Sequence, residues 1–339
     1  YPMGAKIGKY GLEKQLEDYI RGFDGVEKVE VDASGKKKKV LYKLDPISGG
    51  SVKLTIDWKV QESAEKAIAD KNGAVIAMSP KTGEIFALVS HPNFDPNIFV
   101  KGFPSDEWSK IIKNPFHPLQ NKAIQGIFPP GSTFKLVTAI AGLEEGIINR
   151  NSHFYCSGKK RVGNRDFRCW KEQGHGQVDI HKALVESCDV FFYEVALKLG
   201  AQKLAEYAKM LGLGEKTGIN LPGELEGIVP SPEWKLKKYK KPWYNGDTLP
   251  FAIGQGYLSV SPIQLAVAYS TFANGGYKLN PTIVKEIEVG ENKMVSEDTP
   301  KIKNKISLKP ETIDIVRSGL IGVVNEPNGT GKASKVNNI

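Results

Sequence analysis

Two apolar runs, Ala74-Val75-Ile76-Ala77-Met78 and Ile85-Phe86-Ala87-Leu88-Val89, flank the six residues Ser79-Pro80-Lys81-Thr82-Gly83-Glu84. Proline, glycine and short polar side chains between such runs make a turn, so the pair reads as a β-hairpin. Neither strand alternates; both are apolar at consecutive positions, which calls for cover on both faces. A sheet flanked by helices is therefore the frame into which the rest of the chain must fit. Helical patterns at 132–145, 180–200, 201–211 and 262–273 supply the cover, and with strand-like sequence early and late they give an α+β class. A chain of 339 residues leaves room for about two domains. Residues 1–50 read as a small appendage. Leu12, Leu16, Tyr19 and Ile20 have helical spacing up to Gly22, and Val29–Val31 and Val40–Leu44 alternate like paired strands. Ser48-Gly49-Gly50 reads as a flexible joint, followed by a strand at 53–57 and a helix at 61–71.

Composition removes several classes. Apolar residues make up 40% and charged residues 25%, which is ordinary for a globular protein. The longest near-apolar run, Leu136 to Leu143, is far below the roughly 20 residues that span a bilayer. No signal peptide is visible, and the abrupt opening at Tyr1-Pro2-Met3 is expected of an excised fragment whose anchor or leader lies outside it. The formal charge is +9, mostly from lysine, with basic runs at Lys36–Lys39 and Lys235–Lys241. These suit a solvated surface or attraction to an anionic lipid or polymer. Nothing resembles a nucleic-acid motif, so no nucleic acid is expected as partner.

A serine three residues before a lysine places both side chains on one helical face, where a desolvated, neutral lysine can take the serine's proton. The spacing occurs at Ser34/Lys37, Ser63/Lys66, Ser132/Lys135 and Ser157/Lys160. Ser34 and Ser157 sit in glycine-containing turns, and Ser63 opens a solvent-type helix beside Glu62 and Glu65. Ser132 differs. Phe128-Pro129-Pro130-Gly131 forces a turn, and the chain then runs on as an apolar helix through Ile140. That puts Ser132 at a helix N-terminus and buries Lys135, the setting that depresses a lysine pKa.

The stretch Asn121-Lys122-Ala123-Ile124-Gln125-Gly126-Ile127-Phe128-Pro129-Pro130-Gly131-Ser132-Thr133-Phe134-Lys135 resembles the active-site block of class B penicillin-binding proteins. Ile253-Gly254-Gln255-Gly256, Val260 to Ala266 and Ala273-Asn274-Gly275-Gly276 resemble a second block in the family's order. Ile7 to Lys14 resembles its N-terminal pedestal region. The resemblance implies a serine transpeptidase fold, an antiparallel sheet flanked by helices, over 51–339, with a partial pedestal at 1–50. It implies a peptidoglycan DD-transpeptidase, with Ser132 as nucleophile and Lys135 as base, acting on stem peptides and acylated by β-lactams. The family's Ser-x-Asn motif corresponds to Ser187-Cys188-Asp189, and Asp in place of Asn is typical of the elongation-type branch. Ser187 would relay a proton to the leaving amine and Asp189 would accept hydrogen bonds from the substrate side. The family's late Lys-Thr-Gly is expected beyond Ile339, which would leave one wall of the site outside this chain. Lys81-Thr82-Gly83 and Lys216-Thr217-Gly218 read as decoys in a turn and a loop. The resemblance further implies the periplasmic face of the inner membrane, an N-terminal anchor, and partners of the RodA glycosyltransferase type and MreC. A serine β-lactamase or β-lactam sensor, or a non-catalytic scaffold, are the rival readings.

All three cysteines, Cys156, Cys169 and Cys188, fall in one 33-residue window with His175. Three thiolates and one imidazole suit a closed tetrahedral structural zinc site, and glycines on both sides of His175 favour it over His153 and His181. Elongation-type relatives hold a similar zinc, with some carboxylate ligands. A Cys156–Cys169 disulfide and three buried thiols are the alternatives.

Overall fold

A computed structural model describes residues 7–99, 105–289, 292–295 and 300–336; Tyr1–Met3 and Ile339 lie outside them. In the N-terminal region the expected single helix is two short pieces, α1 (Gly11–Gln15) and α2 (Glu17–Ile20). They part at Leu16, which leaves helical geometry so that its side chain, 3% exposed, reaches Ile283 and Val284. Strands β1 (Val26–Val31) and β2 (Lys37–Leu44) pair antiparallel, Val26 opposite Leu44, around a turn in which Asp32 Oδ1 accepts from the N–H groups of Ser34 and Lys36. Alternation predicts one buried face. Instead Val26, Val31, Val40, Leu41, Tyr42 and Leu44 are all exposed, because no other element among the described residues covers the hairpin.

The expected flexible joint is tightly packed. A Cβ on Gly49 would lie 1.9 Å from the Ile20 carbonyl oxygen, and one on Gly50 2.5 Å from that of Glu288. Strand β3 (Ser51–Leu54) explains the closeness, since it pairs with a late strand, Val284–Val289, and ties the appendage to the main body. Helix α3 (Trp58–Ile68), capped by Asp57, leads to the hairpin β4 (Gly73–Met78) and β5 (Ile85–His91), paired Val75 opposite Val89. α3 packs on it, as do Lys122–Gln125 and the helix Pro262–Ala273. Cover is less complete than the apolar runs suggest: Ile85, Ala87 and Val89 are buried while Phe86 is 36% exposed.

The largest core lies among helices. α4 (Ser105–Ile112) and α5 (Lys122–Gln125) precede α6 (Lys135–Glu144), whose residues 135–143 are all buried. α7 (Ile180–Val185), α8 (Asp189–Leu199) and α9 (Ala201–Met210) follow, so the pattern expected as one helix over 180–200 is broken at Glu186–Cys188. α8 and α9 pack on α6, and α10 (Pro232–Tyr239), α11 (Asn245–Ala252) and α12 (Pro262–Ala273) complete the body with α13 (Pro310–Asn325) against α7.

The turn leading into α6 is held at both ends by chain far away in sequence. Phe128 and Val260 exchange two backbone hydrogen bonds of 3.0 and 2.9 Å, and Gly131 N–H donates to the Gly254 carbonyl at 2.9 Å. Only glycine fits at 254: φ is +76°, and a Cβ would lie 2.1 Å from the Gly131 oxygen. Gly275 has a similar φ of +84° with open space around it. Gly275→Ala should therefore show left-handed strain alone, about 1–2 kcal/mol, while Gly254→Ala should lose about 1–3 kcal/mol more by overpacking. Urea unfolding of the two variants side by side measures the difference; equal losses would contradict the contact.

Candidate active site and metal centre

Ser132 lies in a single 3-10 turn, Gly131–Phe134, that runs directly into α6, and its side chain is exposed. Phe134, fully buried and stacked on Phe251 with ring centres 5.3 Å apart, anchors the turn from below. Tyr269 Oη donates to the Thr133 carbonyl at 2.9 Å from the side. The other three serine–lysine pairs have no such setting, for Lys37, Lys66 and Lys160 lie at the surface, paired to Glu27, Glu62 and Glu194, whereas Lys135 is buried.

The structure brings Ser132, Lys135, Ser187 and Asp189 together. Ser187 Oγ donates to Ser132 Oγ at 3.1 Å. Lys135 Nζ donates to Ser187 Oγ at 2.9 Å, to the Ser187 carbonyl at 2.8 Å and to Asp189 Oδ1 at 2.6 Å. Those contacts use all three N–H donors of an ammonium. Two expectations change here. The spacing predicts a desolvated Lys135 acting directly on Ser132; it is buried, but it meets a carboxylate, and Ser187 stands between it and Ser132. Asp189 was expected to face substrate; its second oxygen instead accepts the Trp170 backbone N–H at 3.0 Å, so both oxygens are engaged within the protein.

Ser187 owes its place to a helix terminus. Ser187 N–H donates to Leu184 O and Cys188 N–H to Ala183 O, the paired bonds of a Schellman motif that closes α7. Glycine usually takes the left-handed position of that motif, but here serine holds it at φ +53°. A strained non-glycine residue beside a reactive cluster is characteristic of functional sites.

Cys156 ends the strand Phe154–Cys156, Cys169 follows the strand Arg165–Arg168, His175 precedes the strand Gly176–Val178, and Cys188 is the N-cap of α8. All four are buried, and their ligand atoms lie within 4.8 Å of one another. His175 Nδ1 is 3.6 Å from both Cys156 Sγ and Cys169 Sγ. The three thiols are unpaired, with no disulfide among them. A hydrogen bond from Cys188 holds the Cys169 thiol pKa below its ordinary value against the opposing effect of burial, and the backbone N–H groups of Lys171, Asp189 and Val190 add to the lowering. The set could hold a metal. Sequence reasoning missed Trp170, whose Nε1–H donates to the carbonyls of Glu186 and Ser187, both at 3.0 Å. Its position directly after Cys169 was the only signal. Both decoys are elsewhere: Thr82 Oγ1 donates to Glu84 in the β4–β5 turn, and Thr217 Oγ1 donates to the buried Glu224.

A penicillin binding protein transpeptidase domain model matches residues 73–339, and a penicillin-binding protein dimerisation domain model matches 1–54. The chain is 38% identical to peptidoglycan D,D-transpeptidase MrdA of Escherichia coli (strain K12) over 332 residues, 97% of this chain and 52% of that protein. It therefore spans about half the length of the curated relatives it matches. The crystal structure of Pseudomonas aeruginosa PBP2 in complex with WCK 5153 superposes with a TM-score of 0.83 at 34% identity, covering 96% of this chain and 68% of that one. PBP2 of Helicobacter pylori, in its complex with MreC, gives 0.84 at 32% identity over 97% and 59%. With a mixed helix-and-sheet fold of the same kind, and with a domain model that matches most of its length, this chain belongs to the penicillin-binding protein transpeptidase family.

Proposed function

We propose that this chain carries the acyl-transfer centre of an elongation-type peptidoglycan DD-transpeptidase, a penicillin-binding protein 2. The contact chain Ser132–Ser187–Lys135, at 3.1 and 2.9 Å, carries the reading. Ser132 Oγ attacks the carbonyl of the penultimate D-Ala of a donor stem peptide. Its proton passes to Ser187 Oγ as the Ser187 proton passes to Lys135 Nζ, the base, which Asp189 Oδ1 holds in position. Lys135 Nζ then returns a proton to Ser187 Oγ, which passes its own to the departing D-Ala nitrogen, leaving an acyl-enzyme. The amine of a neighbouring stem then attacks the ester, its surplus proton passes through Ser187 Oγ to Ser132 Oγ, and the cross-link forms as Ser132 is freed. The Ser132 backbone N–H would serve the oxyanion. β-Lactams would occupy the donor site and acylate Ser132. We place the reaction on the periplasmic face of the inner membrane, with MreC and a RodA-type glycosyltransferase as partners. Among the described residues no helix is long and apolar enough to cross a membrane.

Cys156, Cys169, His175 and Cys188 would hold one zinc ion. Tetrahedral zinc with sulfur at about 2.3 Å and nitrogen at about 2.0–2.1 Å separates sulfur from nitrogen by about 3.6 Å. The two His175 Nδ1–Sγ distances agree with that figure. The ion would be a structural cross-link among three loops and the start of α8, setting the position of Ser187 and Asp189 through Cys188.

Ser132→Ala should abolish the covalent penicillin adduct seen by mass spectrometry of the intact protein, and a persisting adduct would remove Ser132 as nucleophile. Lys135→Ala should slow acylation by about 10²–10⁴-fold, with Lys37→Ala, Lys66→Ala and Lys160→Ala as unaffected comparisons. Ser187→Gly and Ser187→Ala should be equally slow to acylate, yet the glycine variant should be about 1–2 kcal/mol the more stable because it relieves the left-handed strain; thermal unfolding ranks them. Elemental analysis should find one zinc per chain, and chelation should lower Tm and acylation rate together. A zinc-free protein yielding a Cys156–Cys169 linked peptide in a non-reduced digest would overturn the metal assignment.

A further inference from the structure

The basic run 235–241 has no part in the acyl-transfer reading, yet it is built into an ordered aromatic platform. Lys235, 4% exposed, pairs with Asp247 Oδ2 at 2.6 Å and lies over the rings of Tyr244, Tyr257 and Trp243 at 4.9, 5.7 and 6.0 Å. Asp247 Oδ2 also accepts the Tyr244 backbone N–H at 2.8 Å. Trp234, Tyr239 and Tyr257 pack on one another with ring centres 5.4 to 5.6 Å apart, and Lys238 lies 5.1 Å over Trp234. Lys235 is thus spent on the framework. Lys237, Lys238, Lys240 and Lys241 remain exposed, and the single acid in residues 231–246 is Glu233. Tyr239 and Tyr244 are 44% and 59% exposed. Tyr257 stands three residues from Gly254, whose carbonyl accepts from Gly131 beside Ser132. The platform is therefore joined to the turn that presents the nucleophile.

We propose that this face binds a peptidoglycan strand, with the Tyr239 and Tyr244 rings against the C–H faces of its sugars and the four lysines pairing with free stem-peptide carboxylates. The proposal rests on the transpeptidase reading. Charge complementarity selects a polycarboxylate. A membrane-surface helix would need a continuous apolar face to insert, whereas the exposed Leu236 and Tyr239 are interleaved with the exposed Lys237, Lys238 and Lys240. The position beside the nucleophile turn is where a wall polymer must arrive.

The test is co-sedimentation of the intact protein with purified sacculi, comparing wild type with the combined Lys237→Gln, Lys238→Gln, Lys241→Gln variant. Binding should weaken roughly tenfold, as three exposed ion pairs would together supply. It should also weaken with added salt and when sacculus carboxylates are amidated, while fluorescent-penicillin labelling of the variant stays within about twofold. Undiminished sacculus binding by the variant would overturn the proposal. So would equal, lysine-dependent binding to phosphatidylglycerol vesicles, which would make the face a lipid contact. Absence of penicillin labelling in wild type, with lysine-dependent sacculus binding intact, would sink the transpeptidase reading and leave the polymer site standing.

Discussion

An ammonium has three N–H groups to place and no means of accepting a bond, and at Lys135 all three are placed inside the protein, on Ser187 Oγ, Ser187 O and Asp189 Oδ1. The lysine side chain is 3% exposed and that of Asp189 11%. Removing either partner from such a pair leaves an uncompensated charge and costs about 3–5 kcal/mol. Lys135 comes from the start of α6 and Asp189 from the start of α8, so the pair fixes where two core helices begin relative to each other. The carboxylate also fixes the Trp170 loop through that residue's backbone N–H. Ser187, set in place by the turn that closes α7, is held against Ser132 by the same lysine.

Ser132 and Lys135 were legible in the sequence because their relation is local: a proline-glycine turn, then one helical turn, with burial announced by the apolar residues beyond. The four metal-type side chains were legible for a similar reason, being rare residues close together in sequence. What could not be read was the choice of partner across long separations. Nothing in the pattern around Asp189 shows that it meets a lysine 54 positions earlier. Nor does the sequence announce the left-handed Ser187, since a Schellman turn is normally recognised by the glycine it lacks here. The division of the first helix at Leu16 and the bare β1–β2 hairpin have the same origin: periodicity reports which side chains are apolar, and tertiary packing decides whether anything covers them.

The metal-type cluster and the second catalytic motif share one residue. Cys188 sits between Ser187 and Asp189, and its backbone N–H closes α7 while its side chain faces Cys156, Cys169 and His175. Three loops of short strands, which would have little core of their own, thereby converge on the position where α8 starts. His175 is further tied down through its carbonyl, which accepts from Lys182 Nζ at 2.8 Å. The short strands Phe154–Cys156 and Arg165–Arg168 pack on α8, whose first residue is Asp189.

The brackets on the nucleophile turn have a consequence for the newly made protein. Phe128 and Gly131 are held by Val260 and Gly254, and those partners leave the ribosome well over a hundred residues after Ser132 does. At typical synthesis speeds of about 5–20 residues per second, roughly 6–25 s pass in which the serine exists but its turn has nothing to close against. Contacts of such long separation also form slowly once the chain is complete. The turn that carries the Ser132 hydroxyl therefore cannot close until the chain has grown past Val260.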